Sequence, residues 1–238
     1  MANKRVLSIV AHPDDHICFA GTVLKLRKRG YDYFEIVLSD AEESGMINKK
    51  GKRKKKVNKE EHLRERFLEF KKASKILGTK EVFRMKLENL NVKYNKKVHF
   101  KLIKTIRSIR PDIAIIHHRK DYILDHVEAN RIAIEALRGA SYKYALHLGK
   151  WFKVPCVFEF EGVCDIEPDI LIDVTDFYNL KDKILGLYTC QMKEGEWEFQ
   201  LFKSVPLHRG ARFQKDKPTY AEAFEIPKEL PILKMPVL

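Results

Sequence analysis

Residues 5–16 read Arg-Val-Leu-Ser-Ile-Val-Ala-His-Pro-Asp-Asp-His, a short apolar segment that ends in imidazole and carboxylate side chains. The apolar part, residues 5–11, has the pattern of a buried β-strand. In an open α/β sheet, ligands bind at the carboxyl ends of the strands, which is where His12, Asp14 and Asp15 would then lie. Neighbouring carboxylates repel each other unless a cation offsets their charge, so the cluster favours a metal site over a turn that only caps the next helix.

Strands and helices alternate along the next part of the chain. The sequence predicts strands at 34–39, 81–87 and 113–117 and helices at 18–29, 60–77, 98–109 and 125–137. Gly78 and Pro111 end two of these helices, and Asp125 is suited to cap the N-terminus of the last one. Further on, strands are predicted at 156–160 and 170–174 and a helix at 177–189. This alternation predicts a Rossmann-like α/β fold, with a mostly parallel sheet covered by helices on both faces in three layers.

A second cluster of acids and imidazoles follows the strand predicted at 113–117. Residues 117–126 read His-His-Arg-Lys-Asp-Tyr-Ile-Leu-Asp-His. If this strand neighbours the first one, both clusters face the same crevice. His126 would then join His12 and Asp15 in a ligand set that suits zinc, with one position left for water. Another divalent transition metal, such as iron, would also fit these ligands.

Composition excludes several classes of protein. The chain has 238 residues, 45% of them hydrophobic and 33% charged, and it lacks an apolar run long enough to span a membrane. It also lacks a signal-peptide pattern and a Cys-x-x-Cys pair, which predicts a cytoplasmic protein without a zinc ribbon or a thioredoxin-type site. Without a Gly- or Ser-rich linker, we expect one domain over residues 1–238. The proline-rich tail at 227–238 should lie extended on the surface, against its own core or a neighbouring molecule.

The positive charge is concentrated in a basic loop predicted at 48–59. Within it, residues 49–59 hold eight Lys or Arg and no acid, which is most of the net charge of +13. Such a run is usually a solvated loop, and alternatively it attracts an anionic substrate, RNA or a membrane surface. Aromatic residues for base stacking are not interleaved with the lysines, which disfavours nucleic acid as a partner.

Several short segments lie in order along the chain: Ala11 to Asp15, Gly21-Thr22, Ser39 to Glu42, Arg66-x-x-Glu69, Asp125-His126, Asp173 to Thr175, Arg209-Gly210 and Tyr220 to Phe224. In these segments the chain resembles the PIG-L/LmbE-like family of zinc-dependent N-acetylglucosaminyl deacetylases. The segment at 11–15, placed after an N-terminal strand, is a specific signature of the family. The other segments follow in order through nearly the whole chain, so the resemblance implies a single LmbE-like deacetylase domain.

The resemblance also implies an activity. The protein would be a hydrolase that removes an N-acetyl or similar acyl group from an amino sugar or its conjugate, with Zn²⁺ bound by His12, Asp15 and His126. Asp14 would be the general base acting on the metal-bound water. Asp125 would lie outside the metal ligands and orient one of them through a hydrogen bond.

Two further positions are substrate-binding candidates by resemblance. Arg66 aligns with a family position that contacts the sugar, although a surface ion pair with Glu65 or Glu69 would also explain it. Asn89 follows Glu88 at the exit of the third strand, where family members often carry an aspartate. Either side chain of that pair could meet a sugar hydroxyl, or the pair could form only a turn.

Two departures from the family pattern affect the mechanism. His16 replaces the usual glutamate after the Asp14-Asp15 pair, and it is either neutral for function or an extra polar group near the metal. Ile123 replaces a histidine that in many members protonates the leaving amine, which leaves poorly without a proton. The alternatives are donation by His117, His118 or His208, return of the proton by Asp14, or weak catalysis.

The predicted partner is therefore a small acylated amino sugar or its conjugate, and the basic loop makes an anionic one attractive. Two alternatives stay open: a metal-dependent hydrolase of a non-sugar amide or ester, and a nucleic-acid-binding protein that uses the 49–59 run beside a degenerate metal site. The sequence leaves the oligomeric state open.

Overall fold

The structure is a computed structural model that describes residues 3–42, 58–230 and 232–236. The basic loop predicted at 48–59 lies outside the described residues apart from Asn58 and Lys59, and its predicted roles fall outside them too.

Strands and helices alternate along the described residues. The strands are β1 (Arg5–Val10), β2 (Asp32–Ser39), β3 (Thr79–Leu87), β4 (Ile113–His117), β5 (Cys156–Phe160), β6 (Ile170–Asp173) and β7 (Ala221–Glu225). The α-helices are α1 (Ala20–Lys28), α2 (Lys59–Leu77), α3 (Lys96–Ile109), α4 (Leu124–Ser141), α5 (Tyr178–Leu185) and α6 (Trp197–Gly210). The elements predicted from the sequence are all present, with α5 ending four residues early, whereas α6 and β7 were not predicted.

All seven strands form one sheet in the order β3-β2-β1-β4-β5-β7-β6. Strands β3, β2, β1, β4 and β5 run parallel to one another, and β7 runs antiparallel to both β5 and β6. The predicted fold class, a mostly parallel sheet with helices, is confirmed. The chain builds one side of the sheet through β2 and β3 and then crosses to β4, so β1 and β4 are neighbours at the switch point.

The two faces of the sheet carry separate apolar cores. Successive side chains of a strand point to opposite faces, so Val6 and Val10 of β1 pack into one core while Leu7 and Ile9 pack into the other. Helices α1, α2 and α5 cover the first core, and α3 and α4 cover the second. This is the predicted three-layer arrangement.

The helix ends follow local signals with one exception. Asn58 accepts hydrogen bonds from two backbone N–H groups at the start of α2, and Gly78 ends that helix at a φ of 66°. The predicted capping of α4 by Asp125 is wrong, because the cap position is Ile123 and no side chain caps it. Asp125 lies in the first turn of α4. Its carboxylate instead accepts hydrogen bonds from backbone N–H groups of the loop between β3 and α3.

Strand β7 ties the last part of the chain to the first helix. The carboxylate of Glu222 accepts hydrogen bonds from the backbone N–H groups of Gly21 (2.9 Å) and Thr22 (2.7 Å) at the start of α1. It also pairs with the ammonium of Lys181 on α5 at 2.8 Å, and both side chains are buried. A single carboxylate therefore connects β7, α1 and α5.

Replacing Glu222 with alanine should lower the free energy of unfolding by roughly 3–5 kcal/mol. The change leaves the buried Lys181 ammonium and two backbone donors without their acceptor. Urea denaturation compares the variant with Glu229→Ala, an exposed glutamate on the segment that follows β7. A loss for Glu222→Ala as small as that of the control would contradict the connecting role.

The described residues of the C-terminal tail form neither helix nor strand. The backbone N–H of Leu233 donates to the carbonyl of Pro155 at 2.8 Å, and Leu230 and Ile232 pack against the two cores. Of the two docking choices left by the sequence, the described part of the tail lies against its own chain. None of the described helices is both long and apolar enough to cross a membrane.

Candidate metal centre

The predicted ligand residues meet at the carboxyl ends of β1 and β4. His12 and Asp15 follow β1, and His126 lies in the first turn of α4. His12 Nδ1 is 3.2 Å from His126 Nε2, and the Oδ1 atom of Asp15 is 3.3 Å from His126 Nε2 and 3.8 Å from His12 Nδ1. One nitrogen or oxygen ligand atom from each residue thus lies within 4.8 Å of the other two.

The second nitrogen of each imidazole is held by a carboxylate. His12 Nε2 is 3.2 Å from Asp125 Oδ2, and His126 Nδ1 is 3.1 Å from Asp121 Oδ2. Histidines that bind metals usually donate their other ring N–H in this way, which fixes the ring and directs the free nitrogen to the cation. The two imidazoles and Asp15 therefore fit a divalent transition cation, with His12 offering Nδ1 and His126 offering Nε2.

The two supporting carboxylates are positioned by backbone N–H groups. Asp125 accepts from Leu90 at 2.8 Å and from Val92 at 3.1 Å, so the β3–α3 loop holds it against His12. Asp121 accepts from Ile123 at 2.8 Å. The sequence analysis assigned a supporting role to Asp125, whereas it included Asp121 only as a member of the cluster at 117–126.

The electrostatics of the cluster favour positive charge. Burial opposes protonation of His12, but hydrogen bonds to Asp125 and Asp15 outweigh it and raise its pKa to about 9. Burial also opposes protonation of His126, and the charge of Asp15 with the hydrogen bond to Asp121 raises its pKa to about 10. The carboxylates therefore stabilise positive charge here, whether protons or a cation supply it.

A third imidazole, that of the buried His117, also contacts Asp15. The Oδ2 atom of Asp15 accepts from the backbone N–H of His12 at 2.7 Å and lies 2.8 Å from His117 Nε2. His117 is fully buried, which lowers its pKa, and its ring stacks on that of His126 with centroids 4.2 Å apart. A second possible donor set, His117, Asp121 and His126, also has its ligand atoms within 4.8 Å of one another.

Of the other two histidines predicted as possible proton donors, His118 is hydrogen-bonded to residues outside the ligand cluster and His208 is exposed. His118 Nε2 is 2.7 Å from Glu225 Oε2 on β7, and its Nδ1 accepts from the backbone N–H of Lys120. His208 is an exposed residue of α6 and lines a separate cavity with Glu161 and Cys164. Of the three candidates, only His117 has contacts with the ligand cluster.

Asp14 stands beside the ligand cluster with Arg66 of α2. The Nη2 atom of Arg66 is 3.7 Å from Asp14 Oδ1, and the arginine is only 3% exposed. Arg66 therefore does not lie at the surface, as the alternative of a surface ion pair with Glu65 or Glu69 required. Asn89 is also buried, and its Nδ2 has no hydrogen-bond partner among the described residues.

One acid near Asp14, Glu198, was not among the site residues predicted from the sequence. Glu198 lies in the first turn of α6, and burial together with the negative charge of Asp14 raises its pKa. Its charge also acts on the exposed Tyr122, which precedes α4. Glu198 escaped notice because α6 itself was not predicted.

His16 points into the protein. Its Nδ1 is 3.0 Å from Glu35 Oε1 on β2, and its Nε2 is 2.7 Å from the hydroxyl of Tyr188, which donates to the carbonyl of Pro13 at 3.0 Å. His16 and Glu35 are fully buried. His16 and Tyr188 thus connect Glu35 on β2 to the backbone of Pro13, the residue before Asp14.

Solved structures with the same fold include proteins of different activity. The 4-carboxy-2-hydroxymuconate hydratase GalB from Pseudomonas putida KT2440 is 24% identical with a TM-score of 0.83, covering 99% of this chain and 100% of its own. The N,N'-diacetylchitobiose deacetylase from Pyrococcus horikoshii is 22% identical with a TM-score of 0.81, covering 96% and 85%. The conserved protein TT1542 from Thermus thermophilus is 23% identical with a TM-score of 0.81, covering 99% and 98%. At such identities the likeness establishes the fold alone.

No curated protein sequence matches the chain. The family model of PIG-L, described as GlcNAc-PI de-N-acetylase, matches residues 7–137. This range is more than half of the chain and contains the whole ligand cluster, from His12 after β1 to His126 in α4. The chain therefore belongs to the PIG-L (GlcNAc-PI de-N-acetylase) family.

Proposed function

We propose that the protein is a metal-dependent hydrolase that removes an N-acetyl or other acyl group from an amino sugar or an amino-sugar conjugate. One observation carries the proposal: a His-Asp-His donor set with carboxylate-backed imidazoles lies beside a second carboxylate, Asp14, in a chain of the PIG-L family. The likeness in fold to a diacetylchitobiose deacetylase supports a sugar substrate.

The proposed metal is Zn²⁺, held by His12 Nδ1, Asp15 Oδ1 and His126 Nε2. This set of two imidazoles and one carboxylate is typical of catalytic zinc sites, although other divalent transition metals fit it too. When bound, the metal supplies Lewis-acid stabilisation of negative charge and acidifies water. Asp121 and Asp125 hold the two imidazoles in the required orientation.

The proposed role of Asp14 is to carry one proton. Its carboxylate takes the proton from the water whose oxygen attacks the acyl carbon. When the carbon–nitrogen bond breaks, the same carboxyl group returns that proton to the amine nitrogen, and the acyl group leaves as the carboxylic acid. Arg66, 3.7 Å away, orients the Asp14 carboxylate.

Return of the proton by Asp14 is the best-supported of the alternatives for the leaving amine. His118 bonds to Glu225, His208 is exposed at another cavity, and His117 is engaged with Asp15. Glu198 is a second carboxyl group near Asp14, and burial together with the charge of Asp14 raises its pKa.

Arg66 and Asn89 are the proposed substrate-binding residues. The Nδ2 of Asn89 is a buried donor without a partner in the described part of the chain, and such a donor gains from a sugar hydroxyl. The basic residues at 48–59 make an anionic substrate, such as a phosphorylated amino sugar, the preferred form. If so, the KM for the phosphorylated sugar should rise with salt while the KM for its neutral analogue stays constant.

The activity can be tested with a panel of acetylated compounds. Zinc-loaded protein should release acetate and free amine in equal amounts from at least one N-acetyl amino sugar, disaccharide or conjugate. Turnover of a non-sugar acyl amide or ester alone would favour the alternative hydrolase. A product heavier by one water without a free amine would indicate hydration, as in the structurally similar hydratase, and would contradict deacetylation.

A further inference from the structure

A second group of metal-binding side chains lies between α2 and the segment after α5. His62 and Glu65 stand one turn apart on α2, and Cys190 follows α5. One ligand atom from each of the three lies within 4.8 Å of the other two. His62 is 1% exposed and Cys190 9% exposed, whereas Glu65 is half-buried, so two of the three side chains lie below the surface.

A neighbouring acid, Glu69, fixes the position of Cys190 relative to α2. Glu69, one turn after Glu65 on the same helix, accepts hydrogen bonds from the backbone N–H of Cys190 (3.0 Å) and the hydroxyl of Thr189 (2.8 Å). The thiol of Cys190 in turn lies 3.5 Å from Glu65 Oε2 and donates to it. The backbone at Cys190 is therefore fixed to α2, and the sulfur is directed to the helix face that carries Glu65.

The surroundings carry unsatisfied negative charge. The second oxygen of Glu69 is buried without a hydrogen-bond partner among the described residues. A divalent cation would offset this charge, because it neutralises nearby carboxylates, and it would replace the thiol proton as the partner of the Cys190 sulfur.

We propose that His62, Glu65 and Cys190 form a second binding site for a divalent transition cation such as Zn²⁺, separate from the His12–Asp15–His126 set. An imidazole, a carboxylate and a thiolate together select zinc or cobalt over magnesium or calcium, which prefer oxygen ligands alone. On binding, the Cys190 S–H bond breaks, its proton leaves to solvent and a sulfur–metal bond forms, without oxidation or reduction.

The site would cross-link α2 to the segment after α5. Glu65 is adjacent in sequence to Arg66, whose guanidinium lies beside Asp14. A cation bound here therefore fixes the helical turn from which Arg66 reaches the candidate active site. The proposal does not depend on the reaction that the first site performs.

Cobalt titration of the metal-depleted protein tests the proposal, because a thiolate bound to Co²⁺ gives a charge-transfer absorption in the near ultraviolet. The His12–Asp15–His126 set contains no sulfur, so this band reports only a cysteine-containing site. Wild-type protein should bind two cobalt ions and show the band. Cys190→Ser and His62→Ala should each bind one ion, with the band lost in Cys190→Ser.

Two further variants separate the sites. His126→Ala should lose the other ion and keep the band, whatever the outcome of the substrate panel. Cys164→Ser is the matched control, because Cys164 is the half-buried thiol on which the charges of Asp121 and His126 act, and its replacement should change nothing. A band that survives in Cys190→Ser, or one that disappears in Cys164→Ser, would overturn the proposal. So would binding of a single cobalt ion without the band by wild-type protein, with circular dichroism confirming that each variant is folded.

Discussion

Replacing His126 with alanine is expected to remove about one equivalent of zinc per chain from the first site and to lower deacetylation by about 10³-fold or more. The imidazole offers Nε2 to the donor set, and Asp121 holds the ring through Nδ1. Loss of the metal removes several kcal/mol of Lewis-acid stabilisation, and each 1.4 kcal/mol corresponds to a tenfold change in rate. Elemental analysis of untagged protein and the acetate assay measure the two effects.

A second variant distinguishes the two donor sets that share His126. His12→Ala should also lose the zinc if His12, Asp15 and His126 are the ligands, and it should keep the zinc if the ligands are His117, Asp121 and His126. His147→Ala, at an exposed histidine after α4, is the matched control and should retain both zinc and activity. Zinc retained at the wild-type level in His126→Ala would rule out both sets.

Replacing Asp14 with asparagine should lower kcat by about 10²- to 10⁴-fold, the usual contribution of a general base. Asparagine keeps the shape of the side chain but cannot accept the proton from water. The zinc content should stay at the wild-type level, because Asp14 lies outside the donor set. Steady-state kinetics and elemental analysis of the same preparation check the two parts of this expectation.

The controls for Asp14 use its two charged neighbours. Glu198→Gln should reduce kcat less than Asp14→Asn, because the proposed path moves the proton through Asp14. Arg66→Lys keeps the positive charge near Asp14 but loses the planar geometry of the guanidinium, so a moderate loss of kcat is expected. Loss of zinc in Asp14→Asn would identify Asp14 as a ligand, and near-normal kcat would show that another group accepts the proton.

The first half of the fold follows from local sequence signals. Strands β1, β2 and β4 are short apolar runs, and α2 and α3 are amphipathic segments with clear ends at Gly78 and Pro111. The approach of His12 and His126 follows as well, because a parallel sheet brings the carboxyl ends of neighbouring strands to one edge.

Other features depend on contacts that no local pattern encodes. Helix α6 contains Pro206, and a proline inside a segment disfavours a helix prediction because it lacks the backbone N–H donor. The helix nevertheless continues to Gly210. Strand β7 is defined by its antiparallel pairing with β5 and β6 rather than by a long apolar run. Asp125 is in the usual place for a helix-capping acid, but the nearby β3–α3 loop and His12 take its oxygens instead.

The position of β7 has a consequence for how the protein is made. This strand lies between β5 and β6, although ribosomes synthesise it after both of them. Until Glu225 has been translated, β6 lacks its neighbour in the sheet, and the Glu222 acceptor for α1 and Lys181 does not yet exist. The nascent chain therefore carries an open edge at β5 from the time residue 160 is made until β7 follows, and a ribosome that stalls before residue 221 leaves that edge for chaperones to protect.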